Sequence, residues 1–140
     1  MQNTNLQIKN GLLVLNLMIQ LFLLYSIMKK IIAKRKFQKF RIFGNQVLVH
    51  INEQEDGDFI TCDELMIPCY DRDIIISSLI KANYPADRMD AIRNNYELVK
   101  DGTAGDKEDE YTEEYNKMQA WRAYSKQLAS EIINSKSNNI

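Results

Sequence analysis

The hydrophobic period of this chain changes once along its length, and that change constrains the fold more than any other feature. Between residues 37 and 67, apolar and polar residues alternate, which is typical of strands with one buried face. From about residue 71 to residue 134, apolar residues recur at three- and four-residue steps, which is typical of amphipathic helices. The sequence therefore predicts an α+β fold in which helices cover one face of a small antiparallel sheet.

The alternating region predicts a three-stranded antiparallel meander. Gly44-Asn45 separates the first two strands as a tight hairpin turn, and the acidic segment 53–58 forms the second turn. His50 falls on the less buried face of the second strand, so we expect it to be hydrogen-bonded or exposed rather than a ligand. The predicted strands are residues 37–43, 46–52 and 59–67.

About three helices are predicted after the sheet. Asp71 is a suitable N-cap for the first helix, and Pro85 suits the first position of the second. The third helix carries an apolar stripe, and the end of the chain is expected to fray. The predicted compact domain is therefore 37–136, followed by a frayed tail at 137–140. The predicted helices are residues 72–83, 85–100 and about 111–134.

The first 36 residues carry a strongly apolar run whose role stays open. As a helix, residues 12–28 would span about 25 Å, just short of the ~30 Å hydrocarbon core of a membrane. The basic flank that follows would keep the rest of the chain in the cytoplasm, by the positive-inside rule. Met28 would also serve as a translation start, in which case residues 1–27 are not translated. A third interpretation is an apolar helix that is buried in the fold or packed on a partner.

Charge is divided sharply along the chain. Residues 1–52 carry eight Lys or Arg and no Asp or Glu, whereas residues 53–140 carry ten basic and nineteen acidic residues. Basic residues interleaved with Phe can bind nucleic acid through phosphate contacts and base stacking. Because the acidic remainder would oppose a phosphate backbone, a nucleic-acid-binding module is the weakest of the hypotheses, and a solvated strand face is favoured. The basic strip consists of Lys34, Arg35, Lys36, Lys39 and Arg41.

Residues with catalytic or metal-binding chemistry are few. Cys62 and Cys69 stand seven positions apart, which is no metal-ligand spacing, and His50 is the single histidine. We expect structural cysteines of a cytoplasmic protein. The acidic group at 106–114 lacks the alternating ligands and central Gly of a calcium loop, and it stands at a helix start, where acids are favoured. The sequence thus predicts a non-enzymatic protein with no catalytic, metal or cofactor-binding residues.

The last predicted helix carries the candidate binding residues. Aromatic residues at helical spacing are common anchors of protein–protein interfaces. A small domain needs most of this stripe for its core, so we expect only part of it to bind a partner. The predicted partner-binding residues are Trp121, Tyr124 and Leu128.

Two stretches resemble known proteins. YDRDIIISSLIKANYPADRMDAIRNNYEL at 70–98 and EYNKMQAWRAYSKQLASEI at 114–132 resemble small uncharacterised proteins encoded by phages and prophages of gut Bacteroidetes. The second stretch is also similar to the tryptophan-tyrosine-leucine helix near the end of phage tail assembly chaperones. The first resemblance extends over about residues 37–132, and the second over about 20 residues. They imply a role in virion or tail assembly, with a phage structural or assembly protein, or a second copy of the chain, as the partner.

The leading hypothesis is therefore a phage or prophage protein that acts by protein–protein contact in the host cytoplasm or in the virion. The alternative is a single-pass inner-membrane protein with a cytoplasmic acidic domain, which the apolar run 12–28 and its basic flank suggest. No motif identifies the partner or the oligomeric state.

Overall fold

The computed structural model describes residues 27–33 and 36–137. The chain divides into two compact units, one ending at Cys69 and the other beginning at Tyr70. The described part of the first unit is a β-sheet, and the described part of the second is helical. The α+β class predicted from the change of hydrophobic period is therefore confirmed.

The described part of the sheet is antiparallel and has four strands, so the prediction of three strands was wrong. The additional strand occupies residues 27–33, where the sequence predicted the end of an apolar helix and its basic flank. The strands are β1 (Ile27–Ala33), β2 (Phe40–Phe43), β3 (Gln46–Asp56) and β4 (Phe59–Ile67). Their order across the sheet is β1-β4-β3-β2, which makes β1 and β2 the edge strands.

Strand β1 is stabilised by charge pairs with a distant part of the sequence. In its register with β4, Lys29 lies opposite Glu64 and Lys30 lies opposite Asp63. The lysine Nζ atoms lie 3.1 and 3.2 Å from the respective carboxylate oxygens. Consecutive side chains of a strand point to opposite faces, so each lysine meets one acid of β4. These ion pairs add to the antiparallel pairing of all seven residues of β1 with β4.

The remainder of the predicted apolar helix, residues 12–26, lies outside the described residues. The same holds for residues 138–140 of the predicted tail. Within the ranges that the structure describes, no helix is long and apolar enough to cross a membrane.

The β3–β4 hairpin is longer than predicted. Residues 53–56, which the sequence placed in an acidic turn, belong to β3, and the turn itself is confined to Gly57 and Asp58. Gly57 has a φ of 59°, a left-handed conformation that glycine adopts at little steric cost. A β-bulge that includes Asn52, with a φ of 54°, interrupts the ladder before the acidic residues. The side chains at 53–56 are exposed, so strand pairing does not desolvate their charges.

One face of the sheet carries the apolar core of the first unit. The alternation predicted for β3 is confirmed, because Val47, Val49 and Ile51 are buried. Leu65 and Ile67 pair with this face from β4 and are buried as well. The opposite face is the more polar one and carries the single histidine.

The described part of the second unit contains three α-helices and a short 3-10 turn. Asp71 caps the first helix as predicted, because its side chain accepts hydrogen bonds of 3.0 Å from the backbone N–H groups of Asp73 and Ile74. The third helix begins at Glu108 rather than near Tyr111, since three acids in its first turn interact favourably with the helix dipole. The helices are α1 (Arg72–Asn83), α2 (Ala86–Lys100) and α3 (Glu108–Ser137), and the 3-10 turn is Gly105–Lys107.

Helix α3 contacts both α1 and α2 and organises the core of this unit. The Tyr96 ring of α2 stacks on the Tyr115 ring of α3, with centroids 3.9 Å apart. The apolar stripes predicted for α1 and α3 are largely confirmed by burial. The buried apolar residues are Ile75, Leu79, Ile92, Met118, Leu128, Ala129 and Ile132.

Candidate functional site

The candidate site is a groove on the second unit, formed by α3 and the C-terminal end of α1. The groove is open to solvent and has a volume of about 410 Å³. Two of the three predicted partner-binding residues, Trp121 and Tyr124, form part of its wall. The full lining is Asn83, Tyr84, Lys117, Ala120, Trp121 and Tyr124.

Trp121 is the fixed part of the groove. Its indole Nε1–H donates a hydrogen bond of 2.8 Å to the carbonyl oxygen of Leu79, in the C-terminal half of α1. This bond ties α3 to α1 and leaves the side chain half-buried. The indole N–H therefore already has a hydrogen-bond acceptor within the unit. A binding partner can cover the ring without having to supply one.

Tyr124 is the accessible part of the groove. Its residue is 36% exposed, and its ring centroid lies 5.3 Å from that of Trp121 at a tilt of 35°. Ala120, one turn earlier, is exposed and small, so an incoming group can approach the helix backbone between the larger side chains. Partly exposed aromatic rings that neighbours hold in place make effective interface anchors, because little side-chain entropy is lost on binding.

The third predicted partner-binding residue, Leu128, lies in the interior of the second unit. Leu128 is only 1% exposed and does not line the groove. It continues a buried stripe with Ser125 and Ile132, because residues three and four positions apart share one face of a helix. Leu128 is therefore a core residue of the second unit.

Two cations flank the aromatic groove, and each is already engaged. The Lys117 Nζ lies 2.6 Å from a carboxylate oxygen of Glu113, and this pairing raises the pKa of Lys117. The Arg88 guanidinium lies 5.0 Å from the centroid of the Tyr84 ring and donates a hydrogen bond of 3.2 Å to the Asn83 carbonyl. The rim therefore offers little uncompensated charge, and the ring faces are its main binding feature.

The sequence did not indicate that Asn83 and Tyr84 line one side of the groove. The available signal was Tyr84 itself, an aromatic residue placed between the end of a predicted helix and Pro85. Which helix lies beside that position depends on tertiary packing, and no local pattern encodes it.

Part of the basic strip also lies within the described residues. Its first two members, Lys34 and Arg35, lie outside them. The guanidinium of Arg41 lies 5.7 Å from the centroid of the Phe43 ring, and Phe43 is 50% exposed. This places a small cationic and aromatic surface on the edge strand β2. The described members of the strip, all exposed, are Lys36, Lys39 and Arg41.

Both ring nitrogens of His50 lie against hydrogen-bond acceptors, which agrees with the expectation of a hydrogen-bonded histidine. Its Nε2 lies 3.0 Å from Glu64 Oε2, and its Nδ1 contacts the carbonyl oxygen of Gln38. The hydrogen bond from His50, together with the Lys29 ammonium, holds the pKa of the Glu64 carboxyl below its usual value despite partial burial. Across the described ranges, no group of three or more His, Cys, Asp or Glu side chains is placed to hold a metal ion.

Both cysteines are free thiols with ordinary structural surroundings. Cys62 is buried, and this burial raises the pKa of its thiol, which lowers its reactivity at neutral pH. Cys69 is half-buried, and its Sγ lies 3.8 Å from the Asn45 side-chain nitrogen. These positions support the interpretation of both residues as structural cysteines.

Comparison with known proteins identifies no relative. No protein-family model, no curated protein and no solved structure matches the chain.

Proposed function

We propose that this chain is a non-enzymatic phage or prophage protein that acts by protein–protein contact in virion or tail assembly. The groove beside Trp121 and Tyr124 is the proposed docking site. The observation that carries the proposal is the arrangement of these two rings and Tyr84 around a groove of about 410 Å³. Aromatic residues at the centre of such pockets contribute most of the binding free energy of many interfaces.

The chemistry of the groove favours a partner segment that inserts one or two apolar side chains. Its walls are aromatic ring faces and a small exposed alanine, and its volume suits side chains rather than a whole helix. The rim cations Lys117 and Arg88 already contact Glu113 and Tyr84, so charge contributes little to recognition. We therefore expect binding that depends weakly on salt.

The phage setting rests on the resemblance of residues 70–98 and 114–132 to phage and prophage proteins. All six residues that line the groove fall inside these two stretches. The resemblance thus concerns the part of the molecule that carries the proposed docking site. It supports a phage structural or assembly protein, or a second copy of this chain, as the partner.

Site-specific photo-crosslinking tests the proposal in cells that produce the phage. A benzophenone amino acid at Tyr124 places the reactive group in the groove, and the same amino acid at Lys126 is the matched control. Lys126 is exposed on the same helix but points away from the groove, since it is two positions further along. We expect a crosslink to a phage structural or assembly protein from position 124 and none from position 126.

A second measurement distinguishes a partner protein from a second copy. Trp121 is the single tryptophan, so its fluorescence reports on the groove alone. Its emission should change when the partner identified by crosslinking is added to the purified chain. Tyr124→Ala should raise the dissociation constant about ten-fold or more. Equal crosslinking from both positions, or unchanged affinity of a folded Tyr124→Ala variant, would contradict the docking site. Crosslinks only between copies of the chain would identify self-association.

The inner-membrane alternative keeps one supporting observation, the apolar run 12–28 with its basic flank. It predicts that the full-length chain made in cells stays in the membrane pellet after carbonate extraction. Recovery of the full-length chain in the supernatant without detergent would refute it.

A further inference from the structure

Residues 36–39 lead into β2, one of the two edge strands of the sheet. This segment is here called the strap. It lies against His50, the histidine on the polar face of β3.

His50 makes three contacts with the strap. The imidazole Nδ1 contacts the carbonyl oxygen of Gln38, and the backbone N–H of His50 donates a hydrogen bond of 2.9 Å to the carbonyl oxygen of Lys39. The Phe37 ring packs on the imidazole, with centroids 5.1 Å apart. The side chain of His50 is only 9% exposed as a result.

Both ring nitrogens of His50 face groups that can only accept hydrogen bonds. Nδ1 faces the Gln38 carbonyl, and Nε2 faces the Glu64 carboxylate at 3.0 Å. A neutral imidazole carries one N–H, so it can satisfy only one of these acceptors, whereas the imidazolium satisfies both. In the neutral ring, the stronger charge-assisted bond to Glu64 persists, and a lone pair of Nδ1 then faces the Gln38 oxygen.

We propose that His50 is a pH-sensitive latch, which holds the strap against the polar face of the sheet more firmly when its ring is doubly protonated than when the ring is neutral. The strap is the element that responds, because the neutral ring loses the hydrogen bond from its Nδ1 to the Gln38 carbonyl oxygen. On the opposite side, Glu64 keeps its partner Lys29, whose Nζ lies 3.1 Å from the Glu64 Oε1. Opening of the strap would expose the Phe37 ring and make the residues that precede β2 more mobile.

The charged groups around His50 are paired with other residues or exposed, apart from Glu64, which contacts the imidazole. Glu64 on β4 is the only carboxylate in contact with the imidazole among the described residues, and Lys29 on β1 contacts Glu64 rather than the ring. Asp63, the neighbouring acid on β4, accepts a hydrogen bond from Asn52 and pairs with Lys30. The basic groups on the strap side are exposed and include Lys36, Lys39 and, on β2, Arg41.

The test uses NMR on the full chain, in which a single histidine makes the ring signal unambiguous. The ring is titrated from about pH 5 to about pH 8, the range in which histidine ordinarily changes charge. We expect the amide signals of Gln38 and Lys39 to move together with the His50 ring signal. The hydrogen-exchange protection factor of the His50 amide, which bonds to the strap, should fall about five-fold, equivalent to one net hydrogen bond.

The variant His50→Gln removes the ionisation but keeps a side-chain donor, so its strap signals should not change over the same pH range. If this variant fails to fold, the wild-type titration decides alone. A ring that titrates without any change in the strap amides would overturn the latch. So would a ring that does not change its charge within that pH range, or a His50→Gln variant whose strap titrates like the wild type.

Discussion

Replacing Leu128 by alanine tests whether this residue belongs to the core of the second unit or to the proposed docking site. The substitution removes three carbon groups from a residue that is 1% exposed. At about 0.8 kcal/mol per buried carbon group, the lost transfer free energy is about 2.4 kcal/mol. The cavity left between Ser125 and Ile132 adds to this, so we expect a total cost of about 3–4 kcal/mol, within the range seen for buried Leu→Ala changes.

Urea denaturation followed by Trp121 fluorescence measures this cost in the second unit. With an m-value of about 1.5 kcal/mol/M, a loss of 3 kcal/mol moves the midpoint down by about 2 M. Lys126→Ala is the matched control, because this exposed position on the same helix should change the free energy of unfolding by no more than about 0.5 kcal/mol. A Leu128→Ala variant that stays within about 1 kcal/mol of the wild type, yet loses partner binding, would show that Leu128 belongs to the interface and that the assignment to the core is mistaken.

Three further substitutions test individual contacts by the same denaturation assay. Tyr70→Phe should cost about 1 kcal/mol, because the phenol O–H lies 2.9 and 3.1 Å from two carbonyl oxygens near the end of α3. Ser125→Ala should leave the free energy of unfolding nearly unchanged. Its buried hydroxyl donates to the Trp121 carbonyl of the same helix, and alanine is the better helix former. A cost above about 2 kcal/mol would contradict this expectation. Because the pKa of Glu64 is lowered in the folded state, its contacts stabilise the fold above the ordinary glutamate value of about 4.3, and this stabilisation is lost as pH falls through the lowered value. The excess stability of the wild type over Glu64→Gln should therefore shrink between about pH 6 and about pH 3, and an excess that is constant with pH would refute the assigned ion pairs.

The helices of the second unit could be predicted because their signals are local. Asp71 caps α1 through backbone N–H groups two and three residues away, and Ile75 and Leu79 are buried one turn apart on the same helix. Such contacts are fixed by helix geometry and by a few adjacent residues. The hairpin at Gly44-Asn45 belongs to the same class, because the turn and its flanking strands are contiguous in sequence.

Strand β1 could not be predicted in the same way, because what stabilises it lies far away in the sequence. Lys29 and Lys30 are a poor strand signal when read locally, and they follow an apolar run of helical length. Their partners Glu64 and Asp63 come more than thirty residues later and meet them only once the sheet has formed. The paired lysines also suit an edge strand, because charged side chains there discourage pairing with other chains.

The groove combines residues that a local pattern indicates with residues that only tertiary packing brings beside them. The spacing of Trp121 and Tyr124 is a property of α3 alone, and the structure places both side chains in the groove wall. Leu128, the next apolar position of the stripe, is buried on the face of α3 that packs into the unit. The helical spacing alone does not show which face is buried, because this depends on how the helices pack. The opposite wall, with Tyr84, comes from the end of α1 and is brought beside α3 by the Trp121 hydrogen bond to Leu79. Tyr84 and Tyr124 are therefore the substitutions that probe the groove without removing core contacts, and a partner that docks there should lose affinity with either one while the unit stays folded.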